Sequence, residues 1–274
     1  MKKTFLKNKK NVQFLIIGLG LIGGSIAKRL SKNGFEVLAL DSSKSTLNHA
    51  KNTKAIKGSV NKIDFTKKLF VIVALPPKTI LRGFNTYLDL FQKADFITDC
   101  TSEKESLLSQ IKKNNLQKKF LLSHPIAGSE KSGFLNSNEN LFEDKVSILL
   151  KHKGISKNAL QTSQEFWSEL GSKTFNLDSK FHDRIFSLTS HIPHIVAFSL
   201  ISLLSKRKDL DYKKFMGGGF KDFTRIAASD PKMWENILSL IHISEPTRQA
   251  EGSYAVFCLK KKRGGGGGGG GGGG

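Results

Sequence analysis

Cysteine is nearly absent from this chain, with two among 274 residues. That excludes a disulfide framework and points to a reducing, cytoplasmic setting. Acidic residues are also few, 23 against 44 Lys+Arg, a formal net charge of +21. Long apolar runs are missing: the best stretches, 14–27 and 192–204, are too short to span a bilayer, so no membrane partner is expected. An apolar content of 38% instead suits a soluble globular protein with a core of its own. The basic excess invites a nucleic-acid reading. However, the lysines are scattered in pairs and triplets, with no aromatic-interleaved stripe and no nucleic-acid motif. A lysine-biased, AT-rich genome explains the charge more simply, and no nucleic-acid partner is expected.

Glycine is concentrated in one place, since 264–274 is an unbroken run of it. Upstream, 238–248 resembles the conceptual translation of a sequencing-library transposase adapter, and 253–259 that of its flanking primer. Residues 249–252 fall where a variable index would lie, and a run of A followed by signal-free base calls would give the lysines and the polyglycine. The competing view is a flexible or engineered Gly-rich tail. We read 238–274 as non-native and set it aside. This removes five basic residues (Arg248, Lys260, Lys261, Lys262, Arg263) and two acidic ones (Glu245, Glu251), leaving +18. Five arginines then remain: Arg29, Arg82, Arg184, Arg207 and Arg225.

The lysine-rich start followed by 14–27 has the outline of a secretory signal. A nucleotide-binding turn accounts for it better. Residues 12–17 read as an apolar strand, Gly18-Leu19-Gly20-Leu21-Ile22-Gly23 matches G-x-G-x-x-G, and Ile22, Ile26 and Leu30 recur at helical spacing. A second strand at 35–40 leads to Asp41. Gly18 permits the tight turn, Gly20 admits a pyrophosphate, and Gly23 lets helix pack on strand. Leu21 and Ile22 open the helix whose N–H groups would hold the phosphates. Asp41 would accept hydrogen bonds from the adenosine ribose and repel a 2′-phosphate, favouring NAD, although nearby Lys44 leaves NADP open. Further strands are expected at 69–75, 95–99, 120–122 and 146–151, with amphipathic stretches such as 104–112 between them. The expected architecture is a Rossmann-type, mostly parallel α/β sheet over 11–176. A helical domain follows over 177–237, with a long helix over 178–206. A further helix starts near Pro231, with Ser229 or Asp230 as its N-cap.

Three segments carry candidate chemistry. The first, from Ser123-His124-Pro125 to Gly133, lies just past a strand. The second is Ser190-His191-Ile192-Pro193-His194 in an apolar helix. The third is Gly217-Gly218-Gly219-Phe220-Lys221-Asp222-Phe223-Thr224-Arg225. Each has a bland alternative: a strand-end cap, a packing feature of a kinked helix, a plain loop. Three together beside a dinucleotide fingerprint are not bland. With these motifs, the chain from 12 to 237 resembles the prephenate/arogenate (cyclohexadienyl) dehydrogenase family.

The resemblance implies oxidative decarboxylation of prephenate to 4-hydroxyphenylpyruvate with NAD⁺, a step of tyrosine biosynthesis, by a homodimer that needs no metal. It implies His124 as the catalytic base and Ser102 as the residue positioning substrate hydroxyl and histidine. Arg225 would clamp a substrate carboxylate in its fork, His194 would lie near the substrate side chain, and Ser129 would keep a hydroxyl where many relatives have threonine. The segment Cys100-Thr101-Ser102-Glu103 departs from the pattern, because relatives often show glycine before the serine and valine after it. The family's helical domain continues past Trp234, so the second domain is expected to be truncated. Two other readings remain: an arogenate dehydrogenase, and a non-catalytic NAD-binding remnant. Resequencing the 3′ end of the gene will replace the codons from about position 238 with unrelated coding sequence; an authentic reading frame through Gly274 would overturn that reading.

Overall fold

The computed structural model describes residues 6, 8–129, 131–207, 211–229 and 231–238. The adapter-like segment from Ser239 onward and the candidate N-cap Asp230 lie outside the described residues. The chain divides into two compact units, Met1–Asp183 and Arg184–Gly274.

The first unit opens with β1 (Val12–Ile17), α1 (Leu21–Lys32), β2 (Glu36–Leu40) and α2 (Lys44–Asn52). It continues through β3 (Lys68–Val73), α3 (Pro77–Gly83), α4 (Leu88–Lys93), β4 (Phe96–Asp99) and α5 (Glu105–Lys113). It closes with β5 (Phe120–Ile126), β6 (Val146–Lys151), α6 (Lys157–Glu169) and β7 (Lys173–Asp178). The seven strands form one sheet in the order β2-β1-β3-β4-β5-β6-β7. Every neighbouring pair is parallel except β5 with β6. This is the Rossmann-type α/β sheet expected from the sequence.

Both faces of β1 are buried, which is why 12–17 reads as a continuous apolar run rather than an alternating one. Phe14 and Ile16 join Ile26 of α1 and Phe166 of α6 in one cluster, while Leu15 and Ile17, on the opposite face, are equally inaccessible. Phe70 of β3 anchors the first face. Its ring lies 5.1 Å from Phe14, 4.6 Å from Phe96 and 5.0 Å from Phe166.

Several strand boundaries differ from the sequence reading. β3 ends at Val73 rather than Leu75, and β2 starts at Glu36. More consequentially, β5 does not stop at Leu122 but runs to Ile126, because antiparallel pairing with β6 continues from Leu122↔Leu150 to Ile126↔Val146. His124 therefore sits within a strand, opposite Ile148, rather than past its end. β7 had no expectation in the sequence; its mostly exposed side chains lack a buried alternation, and pairing with β6 creates it.

α7 (Ser179–Phe186), a π-helical turn (Ser187–His191) and α8 (Ile192–Ser205) form one continuous helix, and α9 (Gly218–Ala227) and α10 (Pro231–Leu238) follow. The thirteen-residue apolar stretch 192–204 is only part of a longer helix. The helix Ser179–Ser205 has 27 residues and a mean hydropathy of 1.4 in its most apolar window, enough by length and composition alone to cross a membrane. Segment length thus does not by itself settle the question; the helix leaves Leu188, Val196 and Leu203 exposed. The triple glycine belongs to a helix start rather than a loop, with Gly217 as the N-cap of α9. Phe70→Ala should cost about 3–5 kcal/mol of stability, since it opens a cavity at a junction of three rings; urea denaturation checks this.

Candidate active site

Three glycines shape the turn after β1, for different reasons. Gly18 has φ +96°, and a Cβ on it would stand 2.6 Å from the Ala74 carbonyl oxygen. A Cβ on Gly23 would stand 1.9 Å from the Gly18 carbonyl oxygen. Both glycines are thus demanded by the protein's own packing. A Cβ on Gly20 would meet nothing within 4 Å, so its missing side chain leaves open space against bare backbone. Gly20 also caps α1 without a side-chain acceptor for the N–H groups that follow, at Leu21 and Ile22. That is a cradle for a pyrophosphate. Asp41, next after β2, accepts from Leu19 N–H at 2.7 Å through Oδ2 and from Ser43 N–H at 2.8 Å through Oδ1. It braces the turn, and its oxygens retain lone pairs for ribose hydroxyls. The residues present fit NAD.

The ends of β1, β3 and β4 and the middle of β5 follow one another across the sheet from this turn. Gly18 lies against Ala74 and Leu75, Val73 is in register with Asp99, and Ser123 N–H donates to Asp99 Oδ1 at 3.0 Å. Asp99 is inaccessible, and its Oδ2 pairs with the equally buried ammonium of Lys104 at 2.6 Å. Lys104 Nζ also donates to the Ser123 carbonyl at 2.6 Å, and the Thr101 hydroxyl donates to Asp99. This knot holds the turn carrying half-buried Ser102 against the strand carrying His124. Cys100, in the same turn, has its thiol pKa pushed far up by burial, so it is an inert packing group. Glu103 accepts from Ser106 N–H at 2.8 Å, capping α5, and burial raises its pKa against that hydrogen bond.

His124 Nδ1 lies 2.9 Å from His182 Nε2, and His182 Nδ1 lies 2.6 Å from Asp183 Oδ1. Asp183 Oδ2 accepts from the backbone N–H groups of Glu105 at 2.9 Å and Lys104 at 3.2 Å. Burial lowers the pKa of His182, outweighing the Asp183 hydrogen bond that would raise it. Burial pushes the Asp183 carboxyl upward, but hydrogen bonds from His182, Glu105 and Lys104 together hold it below its ordinary value. Ser129 is exposed, and its hydroxyl accepts from Lys131 N–H at 3.0 Å within its own loop.

His194 and Arg225 belong to the helical unit. His194 stacks on Trp234 at 3.6 Å between centroids and lies 2.8 Å from the Ser190 carbonyl through Nδ1. Burial lowers its pKa against that hydrogen bond. His191 meets Trp234 edge-on at 6.0 Å. The Arg225 guanidinium is 73% exposed and touches Asp222 at 3.6 Å, one helical turn away. The same unit holds an apolar cleft of about 470 Å³ along Ile201, Leu204, Tyr212, Met216 and Phe220, with no charged group lining it among the described residues.

Lys104, His182 and Asp183 carried no signal in the sequence that marked them as part of the site. Lys104 was one lysine among many, and His182-Asp183 fell in an amphipathic helical pattern, where nothing distinguishes a buried histidine from a solvated one.

Residues 26–176 match the family model described as prephenate dehydrogenase, nucleotide-binding domain. The chain belongs to the prephenate dehydrogenase family. Residues 178–242 match that family's dimerization domain. The chain is 29% identical over 235 residues to a cyclohexadienyl dehydrogenase of Zymomonas mobilis, covering 81% of this chain and 78% of that protein. It is 32% identical over 241 residues to a prephenate dehydrogenase of Bacillus subtilis, covering 84% of this chain and 64% of that one. The Aquifex aeolicus prephenate dehydrogenase, solved with hydroxyphenyl propionate and NAD⁺, superposes with a TM-score of 0.73 at 32% identity, covering 92% of this chain and 88% of that one.

Two histidines, His182 and His194, set a pH dependence. With folded-state pKa values below the ordinary imidazole value, the unfolded chain takes up protons first as pH falls. Their stabilisation is therefore complete above about pH 6.5 and is lost as pH falls below it. The urea midpoint should drop between about pH 7.5 and pH 5.5, and His182→Gln should flatten that dependence.

Proposed function

We propose that this chain is an NAD⁺-dependent prephenate dehydrogenase, converting prephenate to 4-hydroxyphenylpyruvate and CO₂ on the route to tyrosine. The observation that carries this reading is His124, held within β5 next to Ser123, which binds Asp99 at the end of β4 in the same sheet that presents the Gly18–Gly23 turn. Gly18, Gly20, Leu21, Ile22, Gly23 and Asp41 would hold the cofactor, which supplies the hydride acceptor when bound.

His124 accepts the proton of the ring hydroxyl as hydride leaves the same carbon. The ring carboxylate departs as CO₂, its bonding pair completes the aromatic ring, and His124 returns the proton to the phenolate oxygen. Aromatisation makes the decarboxylation strongly downhill, so the residues chiefly orient and move one proton. Ser102 positions the hydroxyl, and Ser129 supplies a second hydroxyl on the neighbouring loop. Arg225, exposed on the last turn of α9, binds a substrate carboxylate. His194, whose neutral form burial favours, serves the substrate side chain. The apolar helix Ser179–Ser205 and the match to a dimerization domain favour a homodimer over a membrane span. We take 11–176 as the NAD-binding domain, 177–237 as the helical substrate and dimerisation domain, and 238–274 as adapter-derived, in a cytoplasmic enzyme.

The protein should form NADH from NAD⁺ only when prephenate is present. His124→Asn should lower kcat about 100-fold or more with little change in KM. Arg225→Lys should raise KM for prephenate about tenfold with kcat largely kept. Steady-state absorbance of NADH reads all three, and a higher kcat/KM on arogenate than on prephenate would reassign the substrate.

A further inference from the structure

We propose that His182 and Asp183 are positioning residues that set the tautomer of His124, so that its Nε2 is the proton-accepting atom. The proposal rests on the dehydrogenase reading and names what tunes its base.

A carboxylate can only accept, so across the 2.6 Å contact His182 Nδ1 donates to Asp183 Oδ1. Asp183 is held as an acceptor from its other side as well, by two backbone N–H groups at the start of α5. Burial lowers the His182 pKa and so favours its neutral form, whose second nitrogen, Nε2, carries a lone pair. Across the 2.9 Å contact His124 Nδ1 must then be the donor. A neutral His124 with its proton on Nδ1 has its basic lone pair on Nε2. When Nε2 takes the hydroxyl proton, the imidazolium keeps its Nδ1–H bond to His182, and Asp183 stabilises the added charge through the intervening ring. The same logic governs serine hydrolases, where an aspartate orients the base without taking its proton. Here a second imidazole stands between them.

The arrangement also ties the base to the turn beneath it. The N–H groups that hold Asp183 are those of Lys104 and Glu105, and the Lys104 side chain anchors Asp99 and the carbonyl of Ser123, beside His124. Base, relay and hydroxyl-bearing turn are thus positioned by one set of contacts.

Two measurements on the full chain test this. In the first, two-bond nitrogen–proton correlation spectra of ¹⁵N-histidine-labelled protein near pH 8 read each ring's tautomer without any turnover. Both His124 and His182 should carry their proton on Nδ1, and His182→Leu should move the His124 proton toward Nε2. A proton on Nε2 of His124 in the unaltered protein overturns the proposal. The second is kinetic. His182→Leu and Asp183→Asn should each lower kcat about 100-fold with KM for prephenate within about threefold. His182→Gln, whose amide oxygen can still accept from His124 Nδ1, should recover most of that loss. Equal kcat in the Leu variant and the unaltered protein overturns the proposal, as does equal loss in the Gln and Leu variants. If the unaltered protein shows the expected tautomers but does not oxidise prephenate, the functional reading falls and the relay stands.

Discussion

The buried pair between Asp99 and Lys104 is the contact on which the rest of the site depends. Both side chains are inaccessible, so the cost of removing two charges from water is met only by a dense set of partners. Asp99 receives the Thr101 hydroxyl and the N–H groups of Thr101 and Ser123; Lys104 reaches Asp99, Thr101 and the Ser123 carbonyl. Such a network stitches the end of β4, the turn bearing Ser102, the start of α5 and the middle of β5 into one rigid piece. Lysine is abundant on the surface of this protein, and this one has been taken inside for a geometric task.

From that piece the chemistry radiates in two directions. On one side the start of α5 grips Asp183 and, through His182, aligns the imidazole of His124. On the other side the ends of β3 and β1 present the glycine turn. There the three glycines divide their labour: Gly18 and Gly23 allow backbone to pass backbone, and Gly20 alone leaves room for something outside the protein. Asp41 belongs to both structure and site, because the carboxylate that would meet a ribose also ties Leu19 to the start of α2.

The helical unit works with less machinery. His194 is held between the carbonyl of Ser190 and the ring of Trp234, and burial lowers its pKa against the Ser190 hydrogen bond, whereas Arg225 remains exposed with one weak ionic neighbour. Under the proposed function, an ordered imidazole and a solvated guanidinium would suit different parts of an anionic substrate: the first selective hydrogen bonding, the second charge recognition.

Much of this was legible in the linear chain. The glycine spacing, the terminal Asp41, the alternation of apolar runs and the three histidine- and arginine-bearing motifs establish a dinucleotide fold and the family, because each depends on residues close together in sequence. The end of β5 and the existence of β7 were not legible, since both rest on pairing with β6 rather than on local apolar pattern. Nor was the relay: 58 residues separate His124 from His182, and a buried histidine on an amphipathic helix carries no local mark of its burial. The sequence by itself determined which chemistry-bearing residues the protein has and which fold holds them. Only the tertiary structure decided that Lys104 is buried against Asp99 and that His124 Nδ1 faces His182, because both follow from contacts between strands and helices far apart along the chain.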